Sequence, residues 1–365
     1  MSPQADVRAP SHAEIAECTE AVCHDRQRAP SHVEMAVEIA GIKMANPVTV
    51  ASGTFASGRE MAKLWQECAR AQPNLVSISR FPALNCLGAL TTKAITLKPW
   101  AGNPAPRLAE TASGLLNSIG LENPGVEVFC ERDLPWLARQ NLPLIVNVGG
   151  HSLEEYAQVI EHLERASADI MDGQEGPDVA VPAAYELNIS CPNVDAGGMA
   201  FGVDALLAAE LTRRCRRLTR RPLIVKLSPN VTDITTIAQA VQEAGADALS
   251  LVNTLTGMAI DAIRRRPLLG RGFGGLSGSA IKPVALYLVH QCYRAVDIPI
   301  IGMGGIATGI DAVEFLLAGA CAVAVGSASF SDPLASVRVI QGLEDYCVQH
   351  GIAAVRELTG SLQSH

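Results

Sequence analysis

From residue 48 onward the chain repeats one pattern: a short, nearly continuous apolar run, then a longer stretch in which apolar positions return every three or four residues. The short runs fall at 48–51, 75–78, 144–148, 185–189, 223–227, 248–252, 298–301 and 322–325. They are rich in Val and Ile, too short for helices, and bounded by Gly, Pro, Asn or Ser, which marks them as strands buried on both faces. The intervening stretches at 153–165, 205–218, 234–244, 282–293 and 310–318 have the 3.6-residue period of amphipathic helices. Strand and helix alternating in this way require parallel pairing, because parallel strands need a crossover between them.

Eight doubly buried strands close more readily into a barrel than they extend into an open sheet, so the pattern predicts a (β/α)8 TIM barrel built as a single domain with an N-terminal extension. A Rossmann sheet would want G-x-G-x-x-G after its first strand. Residues 51–58 read Ala-Ser-Gly-Thr-Phe-Ala-Ser-Gly and do not supply it. The barrel domain is expected over 36–350, with a tail over 351–365. Residues 1–35, which contain Arg-Ala-Pro-Ser-His at 8–12 and again at 28–32, read as a flexible extension, and Met35 is a candidate start. Two connections exceed the usual length. The one at 79–120 follows a strand and is a candidate for site residues, whereas the one at 169–183 precedes its strand and reads as an insertion at the opposite end of the barrel.

Composition narrows the function classes. Of 365 residues 48% are hydrophobic and 18% charged, which supports a large core, and the net charge of −8 disfavours a nucleic-acid surface. The one dense basic run, from Arg213 to Arg221, reads as the end of a solvated helix. No apolar stretch reaches the roughly 18 residues of a membrane span, so the protein is expected to be soluble and cytoplasmic. Ten cysteines are scattered with no C-x-x-C pair. Cys18, Cys23 and His24 come nearest to a ligand cluster but lack a second pair, so no metal site is predicted.

In barrels of this kind chemistry sits at the C-terminal ends of the strands. Collecting the residues there gives Ser52 after the first run, Asn147 at the third, Asn188-Ile189-Ser190-Cys191-Pro192-Asn193 at the fourth, Lys226 at the fifth and Asn253-Thr254 at the sixth. Gly302-Met303-Gly304-Gly305 follows the seventh and Gly326-Ser327 the eighth. The last two clusters put glycine backbone where an anion can approach, the usual place for a phosphate in this architecture. Lys226, and Lys93 in the long connection, offer positive charge of the kind a reduced flavin or a carboxylate needs. Asn117, Asn188, Asn193 and Asn253 would present amides to one cavity, which suits a planar ring bearing C=O, N–H and carboxylate groups. Cys191 stands in a loop among these amides rather than in an apolar run. A free thiol titrates near about 8.5, so a modest shift makes it a usable base.

These residues, in this order, resemble the class 1 dihydroorotate dehydrogenases over most of the chain from about residue 37 to 330. The resemblance rests on Gly102-Asn103-Pro104-Ala105-Pro106-Arg107, Leu116-Asn117-Ser118-Ile119-Gly120-Leu121, Asn188 to Val194, Gly274-Gly275-Leu276-Ser277-Gly278 and Gly304-Gly305-Ile306. Ser279 departs from the proline expected there. The stretch 195–202, Asp-Ala-Gly-Gly-Met-Ala-Phe-Gly, looks like the class 1B catalytic subunit rather than class 1A. The resemblance implies an FMN enzyme of pyrimidine biosynthesis that oxidises dihydroorotate to orotate, with Cys191 as the base. It implies an orotate pocket of Lys93, Asn117, Asn188, Asn193, Asn253 and Thr254. Flavin contacts are implied at Ser52, Lys93, Asn147, Asn188, Lys226, Gly275, Gly278, Gly304, Gly305, Gly326 and Ser327. It further implies an iron–sulfur FAD partner that passes electrons to NAD, in a homodimer or heterotetramer. Rival readings are a dihydropyrimidine dehydrogenase barrel, against which Asn193 argues, a tRNA dihydrouridine synthase, which the charge disfavours, and a non-catalytic flavin- or phosphate-binding barrel.

Overall fold

A computed structural model describes residues 32–71, 83–172, 181–190 and 201–363. The expected strand at 75–78, Cys191 and Asn193 lie outside them. Among the described residues eight strands form one sheet: β1 (Val48–Val50), β2 (Leu90–Thr91), β3 (Leu144–Val148), β4 (Ala184–Asn188), β5 (Leu223–Lys226), β6 (Ala248–Leu251), β7 (Ile300–Met303) and β8 (Ala322–Val325). They pair in parallel in the order β1-β8-β7-β6-β5-β4-β3-β2. The two end strands meet through the hydroxyls of Thr49 and Thr91, 3.2 Å apart. The molecule is a (β/α)8 barrel.

The second place in the barrel is taken by Leu90–Thr91, inside the stretch that the sequence pattern reads as a connection. With two ladder residues followed by Thr92 and Lys93, it is too short and too polar to stand out by hydropathy. The seventh strand begins two residues later than its apolar run, because Pro299 has no N–H to give the ladder.

Helices α1 (Arg59–Ala71), α2 (Leu153–Asp172), α3 (Ala205–Arg216), α4 (Ile234–Glu243), α5 (Lys282–Tyr293), α6 (Gly309–Leu317) and α7 (Ala335–Gln349) follow β1, β3, β4, β5, β6, β7 and β8 in turn. Contiguous helical turns over 126–138 fill the place after β2. Helix starts are set by local chemistry. Asp204 accepts from Leu206 N and Leu207 N, Asp233 from Thr235 N, and Thr308 forms a capping box with Asp311.

Inside the barrel the period-2 alternation of each strand stacks side chains in layers. The lower layer is apolar, with Ile145, Ala184, Ile224, Ala248, Ile301 and Ala322, and it is plugged by Ile39, Ile42 and Met44 of the hairpin Val37–Ile39/Ile42–Met44. Two residues further along four of the same strands the layer is polar: Asn147, Glu186, Lys226 and Ser250, all buried. Below, Glu34 N donates to Ala353 O (2.8 Å) and Val355 N to Glu34 O (2.9 Å), and Val355 and Leu358 of the segment read as a tail are buried.

Above the barrel a four-stranded antiparallel sheet, in the order Leu255–Gly257, Gly274–Ser277, Gly114–Asn117, Leu108–Thr111, joins the long β2 connection to the β6 connection. Its strands approach closely because of glycine. A Cβ on Gly274 would sit 2.3 Å from Asn117 O, and one on Gly275 would sit 1.9 Å from Thr254 Oγ1.

Candidate active site

Between the C-terminal strand ends and this antiparallel sheet lies a cavity of about 340 Å³, within the range of small-molecule sites. Ser52, Lys93, Asn117, Asn188, Lys226, Asn253, Thr254, Gly278, Gly304, Gly305, Gly326 and Ser327 all line it. Residues scattered over more than 270 positions of sequence thus meet in one space.

The amides are held rather than free to turn. Asn253 Nδ2 donates to Ser190 Oγ (2.9 Å), and its Oδ1 accepts from Thr254 N (2.8 Å). Asn188 Oδ1 accepts from Ser190 Oγ (3.2 Å), and its carbonyl accepts from Tyr156 Oη (2.7 Å). Asn117 Nδ2 donates to Gly275 O (3.2 Å), which ties it to the sheet above the cavity. Each amide keeps polar capacity for a ligand.

The two lysines stand in different surroundings. Lys226, 3% exposed, donates to Ser52 Oγ at 3.0 Å and lies 3.9 Å from the Glu186 carboxylate. Lys93 is half-buried beside Glu122, which is paired at 2.8 Å with Arg107. Burial pushes the Lys93 ammonium below its ordinary pKa, while the Glu122 carboxylate opposes the shift and Arg107 reinforces it. Arg107 also donates to Asn103 O (2.5 Å) and Ala101 O (2.9 Å), so one guanidinium fixes the turn that carries the Asn103-Pro104 motif.

Glycines after β7 and β8, Gly304, Gly305 and Gly326, also join the lining. Gly304 and Gly305 have φ of +126° and +85°, and Cβ atoms there would come within 2.8 Å of Ala285 Cβ and Lys282 Cβ. A side chain at either position would be strained, so glycine is favoured there. The Ser327 side chain caps nothing in the turn Ala328–Ser331 that it precedes.

Asn147 and Gly275 do not line the cavity. Asn147 is fully buried one layer below, its Nδ2 donating to Glu186 Oε1, while its Oδ1 finds no donor. Gly275 stands behind Thr254. Glu186, Ser250, Glu122 and Ile119–Leu121 are absent from the sequence-based site, although Ile119, Gly120, Leu121 and Glu122 line the cavity. A glutamate inside an apolar strand run was a readable anomaly, since carboxylates are almost never buried unpaired. Among the described residues, no group of three or more His, Cys, Asp or Glu is placed to hold a metal, and no helix is long and apolar enough to cross a membrane.

Comparison with known proteins agrees with this geometry. The family model described as dihydroorotate dehydrogenase matches residues 34–347. The catalytic subunit of dihydroorotate dehydrogenase B (NAD(+)) of Alkaliphilus metalliredigens is 49% identical over 330 residues, covering 90% of this chain and 99% of that protein. Its counterpart in Citrifermentans bemidjiense is 50% identical, with 90% and 98% covered. In fold, the chain is similar to the crystal structure of the dihydroorotate dehydrogenase of Eimeria tenella in complex with ferulenol, with a TM-score of 0.69 at 22% identity and 97% and 95% of the two chains covered. The chain belongs to the dihydroorotate dehydrogenase family, and within it stands with the B-type catalytic subunits.

Proposed function

We propose that this chain oxidises dihydroorotate to orotate with FMN as its resident cofactor, Cys191 taking the proton from C5 as hydride leaves C6. FMN, when bound, supplies the hydride acceptor. The observation that carries the reading is the convergence of Lys93, Asn117, Asn188, Asn253 and Lys226 on one cavity whose lining also includes Gly304, Gly305 and Gly326. The donor set fits the group. Gly304, Gly305 and Gly326 leave room and main-chain donors for a phosphate, whereas Lys226 and Ser52 offer a cation and a hydroxyl for ring carbonyls.

The protein's own residues supply orientation and charge. Lys93 faces the substrate carboxylate, and Asn117, Asn188, Asn193 and Asn253 engage the pyrimidine carbonyls and N–H groups. The antiparallel sheet over the mouth, through Leu108, Leu115 and Asn117, limits water around the reacting carbons. Residues 1–35 have no part in this reading. The curated relatives are named catalytic subunits, which supports a second subunit here. We assign it to an iron–sulfur FAD protein that hands electrons to NAD, assembled with this chain as a heterotetramer around a homodimer.

The test is anaerobic absorbance. The purified protein is expected to be yellow, to bleach on adding dihydroorotate, and to remain yellow with dihydrouracil, which has no carboxylate for Lys93. A colourless protein, or equal bleaching by both compounds, would overturn the reading.

A further inference from the structure

Glu186 is a carboxylate that the reaction does not use. It is 2% exposed in the middle of β4, lies beneath the cavity floor and does not line the cavity. Burying a carboxylate costs several kcal/mol unless it is paired, and an apolar residue of similar size would fill the layer without that cost. Three polar groups meet it: Asn147 Nδ2 donates to Oε1, Ser250 Oγ donates to Oε2 at 2.6 Å, and Lys226 Nζ lies 3.9 Å from Oε1. The last distance is too long for a hydrogen bond yet well inside the range of strong charge interaction. The ammonium therefore keeps its N–H groups for Ser52 and for the cavity, while the carboxylate below balances its charge.

The register explains why these groups meet. Asn147 of β3 stands opposite Glu186 of β4, and Ser250 of β6 opposite Lys226 of β5. All four point into the barrel one layer above the apolar plug. Two neutral donors pin the carboxylate from either side, so its position does not depend on the lysine.

We infer that Glu186 is a positioning residue for Lys226: pinned by Asn147 and Ser250, it holds the lysine ammonium at the cavity floor and sets the net charge under the bound cofactor close to zero. The inference rests on the reading that Lys226 faces the ring of FMN. Reduction adds negative charge to that ring, so a neutral pair beneath it favours reduction less than a bare ammonium does.

The experiment measures the midpoint potential of the flavin in the holoenzyme by anaerobic titration against a reference dye. Glu186→Gln is expected to raise it, shifting the reduced-to-oxidised ratio at fixed poise by about tenfold, which is about 30 mV for a two-electron couple. The Gln amide is accommodated because Asn147 Oδ1 has no donor and can accept from it. Glu186→Asp is expected to restore most of the parent value. In a Lys226→Met background, Glu186→Gln should move the potential much less, because a buried carboxylate deprived of its cation is expected to be neutralised by a proton, leaving no charge for the substitution to remove. Ser250→Ala, which loosens the carboxylate without changing charge, should give a smaller shift of the same sign. An unchanged potential in Glu186→Gln, or full additivity with Lys226→Met, would overturn the inference even if thermal stability fell. Should Glu186→Gln not fold, an unchanged potential in Ser250→Ala would overturn it. Failure of the functional reading would look different, since the parent protein itself would then carry no flavin reducible by dihydroorotate.

Discussion

Two parts of the cavity lining would hold a ligand by different means. In one part side chains line the space: Lys93, and Lys226, Ser52 and a set of amides that are each fixed by a neighbour at hydrogen-bond distance. In the other, the glycine end, Gly304 and Gly305 present main chain at positive φ, where a side chain is strained. The difference separates two kinds of failure. Damage to the groups assigned to the substrate, Cys191, Lys93, Asn117 and Asn253, should spare cofactor retention and change substrate binding or rate, whereas damage at the glycine end should release the cofactor and leave the chemistry of the loaded fraction intact.

The strongest test of the first half of that statement is Cys191→Ser, at a position assigned from sequence. Serine is a much weaker base at neutral pH, and positioned bases contribute roughly 10²–10⁴-fold. Flavin reduction by dihydroorotate in stopped flow is expected to slow by about that factor, with flavin content and orotate affinity unchanged. Parent-like reduction would remove the thiol from the mechanism.

Next in size is Lys93→Ala. Losing one charged partner of the substrate carboxylate costs about 1.5–3 kcal/mol, so orotate affinity by fluorescence titration should fall about 10- to 100-fold with the protein still yellow. The parent should carry a pH signature of the same residue. Burial lowers the Lys93 pKa from 10.5, so its proton leaves before that of an exposed lysine, and orotate affinity should decline as pH rises through a value below 10.5. Between that value and 10.5 the unfolded chain holds the extra proton, so this residue makes folding more favourable, not less, as pH rises. An orotate affinity flat to pH 10.5 would separate Lys93 from the carboxylate.

The counterpart at the glycine end is Gly305→Ala. A side chain at φ +85° with its Cβ 2.8 Å from Lys282 Cβ and 2.9 Å from Gly278 O forces the loop to move, against strain of about 1–3 kcal/mol. Flavin per protein after gel filtration should drop, while the loaded fraction keeps the parent Michaelis constant for dihydroorotate. Full flavin content with a raised Michaelis constant would invert the comparison.

The glycine end was legible in sequence as clusters, because a backbone anion site needs glycine at fixed places after the last two strands. The amide end was legible because Asn188, Lys226 and Asn253 stand at or just past the C-terminal ends of short apolar runs. Less visible was anything that depends on pairing between strands. β2 is two residues long and hid inside a connection, and Asn117 reaches the cavity only because a four-stranded sheet bridges two distant loops. Glu186 stands out as a carboxylate in an apolar run, but its partners Asn147, Lys226 and Ser250 come from three other strands, and nothing local in β4 reveals that they share its layer.

The smallest expected effect sharpens the comparison most. Lys282 is the cation beside Gly305, and a phosphate site would ordinarily be credited to it. Its ammonium is already spent, 2.6 Å from Asp311 and 2.7 Å from Glu314, and these carboxylates, chiefly through their hydrogen bonds, hold its pKa above the ordinary lysine value. Asp311 is itself anchored by Thr308 in the capping box of α6, so the ammonium has little freedom to turn toward a ligand. If main chain alone makes the anion end, Lys282→Met should leave flavin affinity within about twofold, and cost stability by no more than the roughly 1 kcal/mol typical of a partly exposed pair. A tenfold loss of flavin would mean that a side-chain charge reaches the phosphate after all, and the two ends would then differ in degree rather than in kind.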